Sequence, residues 1–139
     1  MKAGDVFVHR NIANILHPTD LNSAAVIEYA IGHLCVKHVI VCGHTNCGGV
    51  AAVVDKKQLG IIDAWLWPLR QLHQDHLEAL QCMPDEKIAL VELNVLAGVK
   101  TLKQKSVVLE AMQKGLEVHG LVYDVGTGIL RELDTTGCD

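Results

Sequence analysis

The chain has 139 residues, 50% of them hydrophobic, which predicts one globular domain over residues 1–139 with a sizeable core. A formal net charge of -4 and the lack of a basic run exclude nucleic acid and an anionic membrane surface as expected partners. No segment has the length of a bilayer span, no secretory signal is recognisable, and five unevenly spaced cysteines do not suggest a disulfide framework. We therefore expect a cytoplasmic protein.

The first third of the chain alternates between strand and helix patterns. Residues 6–10 have strand composition, and residues 22–34 have the spacing of an amphipathic helix, with Asp20 or Asn22 as its cap. Residues 39–41 form a short β-branched run, which predicts a fully buried strand.

The rest of the chain continues the alternation. Helices are predicted over residues 61–80, with a kink or restart at Pro68, and over 87–102 and 107–114. His73 and His76 share one face of the first of these helices, and their polar neighbours predict a solvated surface. Residues 116–125 and 129–133 are predicted strands, joined by a glycine-rich hairpin turn. The class is α/β, a single domain with a mainly parallel central sheet flanked by helices.

A His-x-x-Cys motif follows the predicted strand 39–41. His44 and Cys47 are three residues apart and are followed at once by Gly48 and Gly49. A histidine and a cysteine at this spacing can bind one zinc ion, and the end of a strand is a usual place for chemistry in an α/β fold. A buried histidine beside a buried cysteine is more commonly ordinary core packing, and on spacing alone both interpretations stay open at this point.

The wider sequence around the motif has a family pattern. The segments are residues 39–50 (V-I-V-C-G-H-T-N-C-G-G-V), 4–14 (G-D-V-F-V-H-R-N-I-A-N), 65–70 (W-L-W-P-L-R), 91–95 (V-E-L-N-V) and 119–128 (H-G-L-V-Y-D-V-G-T-G). Together they resemble the β-class carbonic anhydrases, in order and over nearly the whole chain.

The resemblance implies a zinc-dependent carbonate dehydratase, which hydrates carbon dioxide reversibly to bicarbonate through a zinc-bound hydroxide. In that family two cysteines and one histidine bind the zinc; His44 and Cys47 match the second and third of these ligands. Gly48 and Gly49 match residues that line the substrate pocket. The first ligand belongs to a Cys-x-Asp-Ser-Arg motif, whose Asp-Arg pair orients the hydroxide, and this motif does not occur in the 139 residues.

A catalytic zinc usually keeps three protein ligands, so a third would have to be recruited. Cys42 shares a strand face with His44, but the strand would have to bend for both to reach one ion. We expect Cys35 to pack in the core and Cys82 to lie in a polar helix, whereas Cys138 could reach a site in its own or a neighbouring chain. We accordingly expect weak or no activity from this chain, since no third ligand can be assigned.

The resemblance also bears on assembly. In the family the absent motif ends a central strand, which lies between the strands matching residues 6–10 and 39–42. Without that strand the sheet must close up, recruit a strand from another chain or leave backbone groups unpaired. The resemblance implies a homo-oligomer, either a dimer or a domain-swapped form. A non-catalytic family member, acting as a zinc binder or as the oligomer partner of a full-length relative, is the alternative function.

Overall fold

The computed structural model describes residues 2–138, which form seven α-helices and a three-stranded sheet. A short 3-10 helix precedes them, and α1 continues into a π-helical turn. The elements in chain order are the 3-10 helix Ile12–Asn14, α1 Leu21–Glu28, the π turn Tyr29–His33, β1 His38–His44, α2 Gly48–Val54, α3 Ile62–Trp65, α4 Trp67–Asp75, α5 Leu77–Gln81, α6 Glu86–Lys103, α7 Ser106–Met112, β2 Glu117–Tyr123 and β3 Leu130–Glu132.

The sheet has the order β1-β2-β3. β1 and β2 are parallel, with Cα partners running from His38 and Glu117 to His44 and Tyr123. β2 and β3 form the antiparallel hairpin that the glycine-rich turn predicts. This arrangement of a parallel pair with helices confirms the predicted α/β class, and the parallel ladder is the longer of the two.

Helix α6 packs against one face of β1 and β2 and forms the centre of the core. It begins where predicted because the Asp85 carboxylate accepts hydrogen bonds from the backbone N–H groups of Lys87 and Ile88. The strands approach it closely at Gly43, where a Cβ atom would lie 2.8 Å from Val95 Cγ2. The buried residues of α6 are Leu90, Val91, Asn94, Val95, Gly98, Val99 and Leu102.

The predicted strand at residues 6–10 is wrong as an element of the sheet. These residues belong to no regular element and have no ladder partner within residues 2–138, and Val6, Phe7 and Val8 are 56%, 49% and 66% exposed. A strand needs a neighbour for its backbone hydrogen bonds, and β2 already occupies one edge of β1. The other edge of β1 is free within the described part of the chain.

Two further expectations are corrected. β1 is not fully buried, because its second face lies open among the described residues and Ile40 is 56% exposed. The predicted helix 61–80 is three short helices. The restart predicted at Pro68 is confirmed, since Pro68 stands in the first turn of α4, where the missing N–H costs nothing. The cap at Asp20 is confirmed by its hydrogen bonds from the N–H groups of Asn22 and Ser23.

His73 also departs from the prediction, since only 6% of it is exposed. Its Nε2 lies 2.7 Å from Glu86 Oε1 at the start of α6, so the pair joins two helices. His76 is exposed, as predicted. Within residues 2–138, no helix combines the length and the apolar character that crossing a membrane requires.

Candidate functional site

The His-x-x-Cys motif spans the turn from β1 to α2. His44 is the last residue of β1, and the Thr45 N–H still donates to the Tyr123 carbonyl at 2.9 Å. Asn46 then adopts a left-handed backbone with φ 57°, a conformation that asparagine tolerates better than most residues. Cys47 follows as the N-cap of α2. Both predicted ligands therefore lie at the carboxyl end of the parallel strands, where α/β folds commonly bind ligands.

One ring nitrogen of His44 is engaged by a backbone carbonyl. Its Nδ1 lies 2.8 Å from the Thr45 carbonyl oxygen. A carbonyl can only accept, so the neutral ring carries its proton on Nδ1 and keeps a lone pair on Nε2. Metal-binding histidines are usually oriented by such a bond from their second nitrogen.

Cys47 is a free thiol with 6% of its surface exposed. A cleft of about 270 Å³ lies beside it, between the β1–α2 turn and the start of α6. Thr45 and Asn46 line one side, and Asp85 and Lys87 line the other. The donor set of one imidazole nitrogen and one thiol sulfur fits zinc, which binds both ligand types.

Asp124, which the sequence interpretation missed, holds the β1–α2 turn against the end of β2. Thr45 Oγ1 donates to Asp124 Oδ1 at 3.2 Å and accepts from the Val125 N–H at 3.1 Å. Asp124 Oδ1 also accepts from the Gly126 N–H at 2.8 Å, and this bond is the main cause that lowers the Asp124 pKa, followed by the Thr127 hydroxyl. The sequence Asp-x-Gly at residues 124–126 is a recognisable turn signal, but the contact of Asp124 with Thr45 cannot be predicted from it.

Among the described residues, no third potential metal ligand clusters with His44 and Cys47. Within residues 2–138, the one cluster of three histidine, cysteine or acidic donors is His38, Glu117 and His119, which stands at the opposite end of the strands. Partial burial raises the pKa of the Cys42 thiol and disfavours the thiolate that zinc binds.

Within residues 2–138, the remaining cysteines belong to no cluster of three potential metal ligands. Cys82 is exposed and Cys138 is half-buried. Cys35 is exposed, so its predicted core position is wrong; the chain turns there through a left-handed backbone, with φ 51°, after the π turn.

Gly48 and Gly49 differ in their surroundings. A Cβ on Gly49 would lie 2.9 Å from Ala13 Cβ, so only glycine lets α2 approach that segment. A Cβ on Gly48 would meet nothing within 4 Å. Neither residue lines the cleft beside Cys47, and their place in a substrate pocket stays a prediction.

Comparison with known proteins shows to which family this chain belongs. A family model described as carbonic anhydrase matches residues 1–130. The chain belongs to the carbonic anhydrase family. Among curated relatives, the carbonic anhydrase of Emericella nidulans is 43% identical over 96% of this chain, and that of Candida albicans is 44% identical over 94%. The chain spans 61% and 49% of these two relatives' lengths.

Solved structures place the family member in the β class. A β-carbonic anhydrase of Aspergillus fumigatus is 62% identical, with a TM-score of 0.94, over 97% of this chain and 66% of that one. A tetrameric β-carbonic anhydrase of Sordaria macrospora is 47% identical, with a TM-score of 0.93, over 96% of this chain and 71% of that one. The predicted family and fold are both confirmed.

Proposed function

We propose that this chain contributes His44 and Cys47 as two zinc ligands of a site for the reversible hydration of carbon dioxide to bicarbonate. The main support for this proposal is the β1–α2 turn. It places a buried thiol, and an imidazole whose Nε2 keeps its lone pair, at the carboxyl end of the parallel strands. The five cysteines are free in the structure, which suits a reducing compartment such as the cytoplasm.

Zinc, when bound, supplies a Lewis acid that lowers the pKa of a coordinated water. The chain's own residues orient the ligands. The Thr45 carbonyl fixes the His44 ring, and the Thr45 hydroxyl ties the turn to Asp124. The cleft beside Cys47 has room for a substrate as small as carbon dioxide, and we retain Gly48 and Gly49 as pocket residues on the family pattern.

A non-catalytic role is the second candidate, and one observation favours it. No third histidine, cysteine or acidic side chain within residues 2–138 clusters with His44 and Cys47. A two-ligand site binds zinc weakly and lacks the geometry of a catalytic centre. The chain would then serve as a zinc binder or as the oligomer partner of a full-length relative.

Assembly with further copies is part of the proposal. The free edge of β1 and the exposed side chains of Val6, Phe7 and Val8 would be covered by a neighbouring chain. Among described residues, Asn11 Oδ1 and Asn14 Nδ2 are buried without a hydrogen-bond partner, and such atoms cost about 1–3 kcal/mol each when left unpaired. Light scattering after size exclusion should therefore show a dimer or larger; a monomer at all concentrations would contradict the assembly.

The experiment is zinc content and carbon dioxide hydration measured together on the dialysed 139-residue chain. Cys47→Ser removes one proposed ligand, and Cys82→Ser is the matched control because its thiol is exposed and Cys82 does not line the cleft beside Cys47. The zinc bound at the site is the zinc content of the unsubstituted chain minus that of Cys47→Ser. We expect Cys47→Ser to lose zinc and Cys82→Ser to keep it.

The hydration rate then separates the two candidates. Hydration that disappears with the Cys47-dependent zinc supports catalysis with a recruited third ligand. Cys47-dependent zinc without hydration supports the non-catalytic role. Equal zinc in Cys47→Ser and the unsubstituted chain would refute a zinc site at this turn.

A further inference from the structure

Two histidines and a glutamate meet where β1 and β2 begin. His38 is the first residue of β1 and Glu117 the first of β2, and their Cα atoms are register partners. His119 lies two residues after Glu117, so all three side chains project from the same face of the sheet. This face is the one not covered by α6, and the three residues are accessible to solvent.

The donor atoms have the separations of a metal site. His38 Nδ1 lies 3.2 Å from His119 Nε2, and Glu117 Oε2 lies 3.9 Å and 3.7 Å from these two nitrogens. Three atoms at these separations surround a point about 2.1 Å from each of them, which is the length of zinc–nitrogen and zinc–oxygen bonds. An ion could therefore replace the hydrogen bond between the two imidazoles with little movement of the side chains, provided that the His38 ring carries its proton on Nε2.

Glu132 on β3 supplies an independent indication. His119 Nδ1 lies 2.8 Å from Glu132 Oε1. An ionised carboxylate can only accept, so the neutral His119 ring carries its proton on Nδ1 and directs a lone pair on Nε2 toward His38 and Glu117. A carboxylate behind a histidine in this way is the usual support of a metal ligand, since it fixes the tautomer and orients the ring.

We propose that His38, Glu117 and His119 bind a divalent transition-metal ion, with Glu132 as a positioning residue. Two imidazoles and a carboxylate suit Zn²⁺, Ni²⁺ or Cu²⁺ rather than Ca²⁺ or Mg²⁺, which prefer oxygen ligands alone. Two glutamates around two neutral histidines also give the cluster a negative charge that attracts a cation.

This site is separate from the His44 turn. His38 begins β1 and His44 ends it, and six residues of extended strand measure roughly 20 Å. One ion cannot contact both groups. The metal would instead join the first residues of β1 and β2, two strands that no short connection links, and would stabilise the parallel pair by binding only the folded chain.

Calorimetric titration of Zn²⁺ into the full chain tests the site. His44→Ala and Cys47→Ser are introduced together so that the other candidate ligands do not contribute. His38→Gln and His119→Gln are made in this background, with His76→Gln as the control because His76 is exposed and lies outside the cluster. Circular dichroism checks that each variant is folded.

We expect about one Zn²⁺ per chain, bound about 100-fold more weakly or not at all in His38→Gln and His119→Gln, and unchanged in His76→Gln. Glu132→Gln should weaken binding about 10- to 100-fold, as loss of a ligand's carboxylate support does. Absence of saturable binding, or equal binding in His119→Gln and the control, would overturn the site. Unchanged affinity in Glu132→Gln would overturn its positioning role.

Spectroscopy gives a second readout. Co²⁺ in this site should show no thiolate charge-transfer absorption, because all ligands are nitrogen or oxygen. Nitrogen-15 spectra of the histidine side chains should show the metal on His119 Nε2 and on His38 Nδ1. A thiolate band, or a metal shift confined to other histidines, would refute the assignment.

Discussion

Replacing Gly43 by alanine should weaken the packing of β1 on α6 without touching either proposed ligand. Gly43 directly precedes His44 on β1. A Cβ at this position would lie 2.8 Å from Val95 Cγ2 and 2.9 Å from Val91 Cγ1, and both valines are almost fully buried. Carbon atoms in contact prefer about 3.5–4.0 Å, so the strand, the helix or both side chains must shift.

The magnitude follows from the two contacts. Forcing a side chain off its rotamer costs about 0.5–1.5 kcal/mol, and two valines are affected here. The free energy of unfolding should therefore fall by about 1–3 kcal/mol, in the range measured for overpacked cores. For a chain of this size, about 2 kcal/mol corresponds to a loss of roughly 6–10 °C in Tm.

Urea unfolding followed by circular dichroism measures this change. The midpoint should fall with an unchanged denaturant slope, because the surface exposed on unfolding stays the same. Gly48→Ala is the matched control, since a Cβ at Gly48 meets nothing within 4 Å and stability should change by no more than about 0.5 kcal/mol. Equal stability of Gly43→Ala and Gly48→Ala would refute the close approach of β1 to α6.

Two further substitutions test contacts made by distant parts of the chain. Because the folded-state pKa of Asp124 is lowered, its stabilisation is present above the unfolded pKa of about 3.9 and is lost as the pH falls through the folded value. Asp124→Asn, which weakens its bond with Thr45, should therefore be less stable than the unsubstituted chain at pH 7 in thermal unfolding, and the difference should shrink as the pH falls below the unfolded pKa and through the folded value; a constant difference would contradict this. His73→Ala should lower the free energy of unfolding by about 2–3 kcal/mol, because it empties a buried site and leaves Glu86 without its partner. His76→Ala should change it by less than about 0.5 kcal/mol, and similar losses in both variants would count against the buried pair.

Local signals were sufficient for several elements. Helix α6 was predicted within about a residue or two at each end because its apolar spacing is a local signal; the Asp85 cap emerged only from the structure. The β2–β3 hairpin was equally local, since Gly126 and Gly128 flank the turn. The candidate ligands His44 and Cys47 were found by their spacing and by the family pattern.

Features that depend on distant partners were not predicted. The apolar run Val6 to Val8 has strand composition, but composition cannot supply a neighbouring strand, and the segment has no ladder partner among the residues that the structure describes. His73 has polar neighbours in the sequence, yet its partner Glu86 lies on another helix. The cluster of His38 and His119 depends on strand register across 81 positions, which a motif search does not see.

The parallel pairing of β1 with β2 sets the order in which the turn at His44 can form. Thr45 and Asp124, which hold this turn, are 79 positions apart, so the intervening helices must gather before the contact closes. During synthesis, we therefore expect the Thr45–Asp124 contact to form only after β2 has emerged, although both proposed ligands lie in the first half of the chain. A chain stopped before Glu117 would carry the complete His-x-x-Cys sequence but could not build the site.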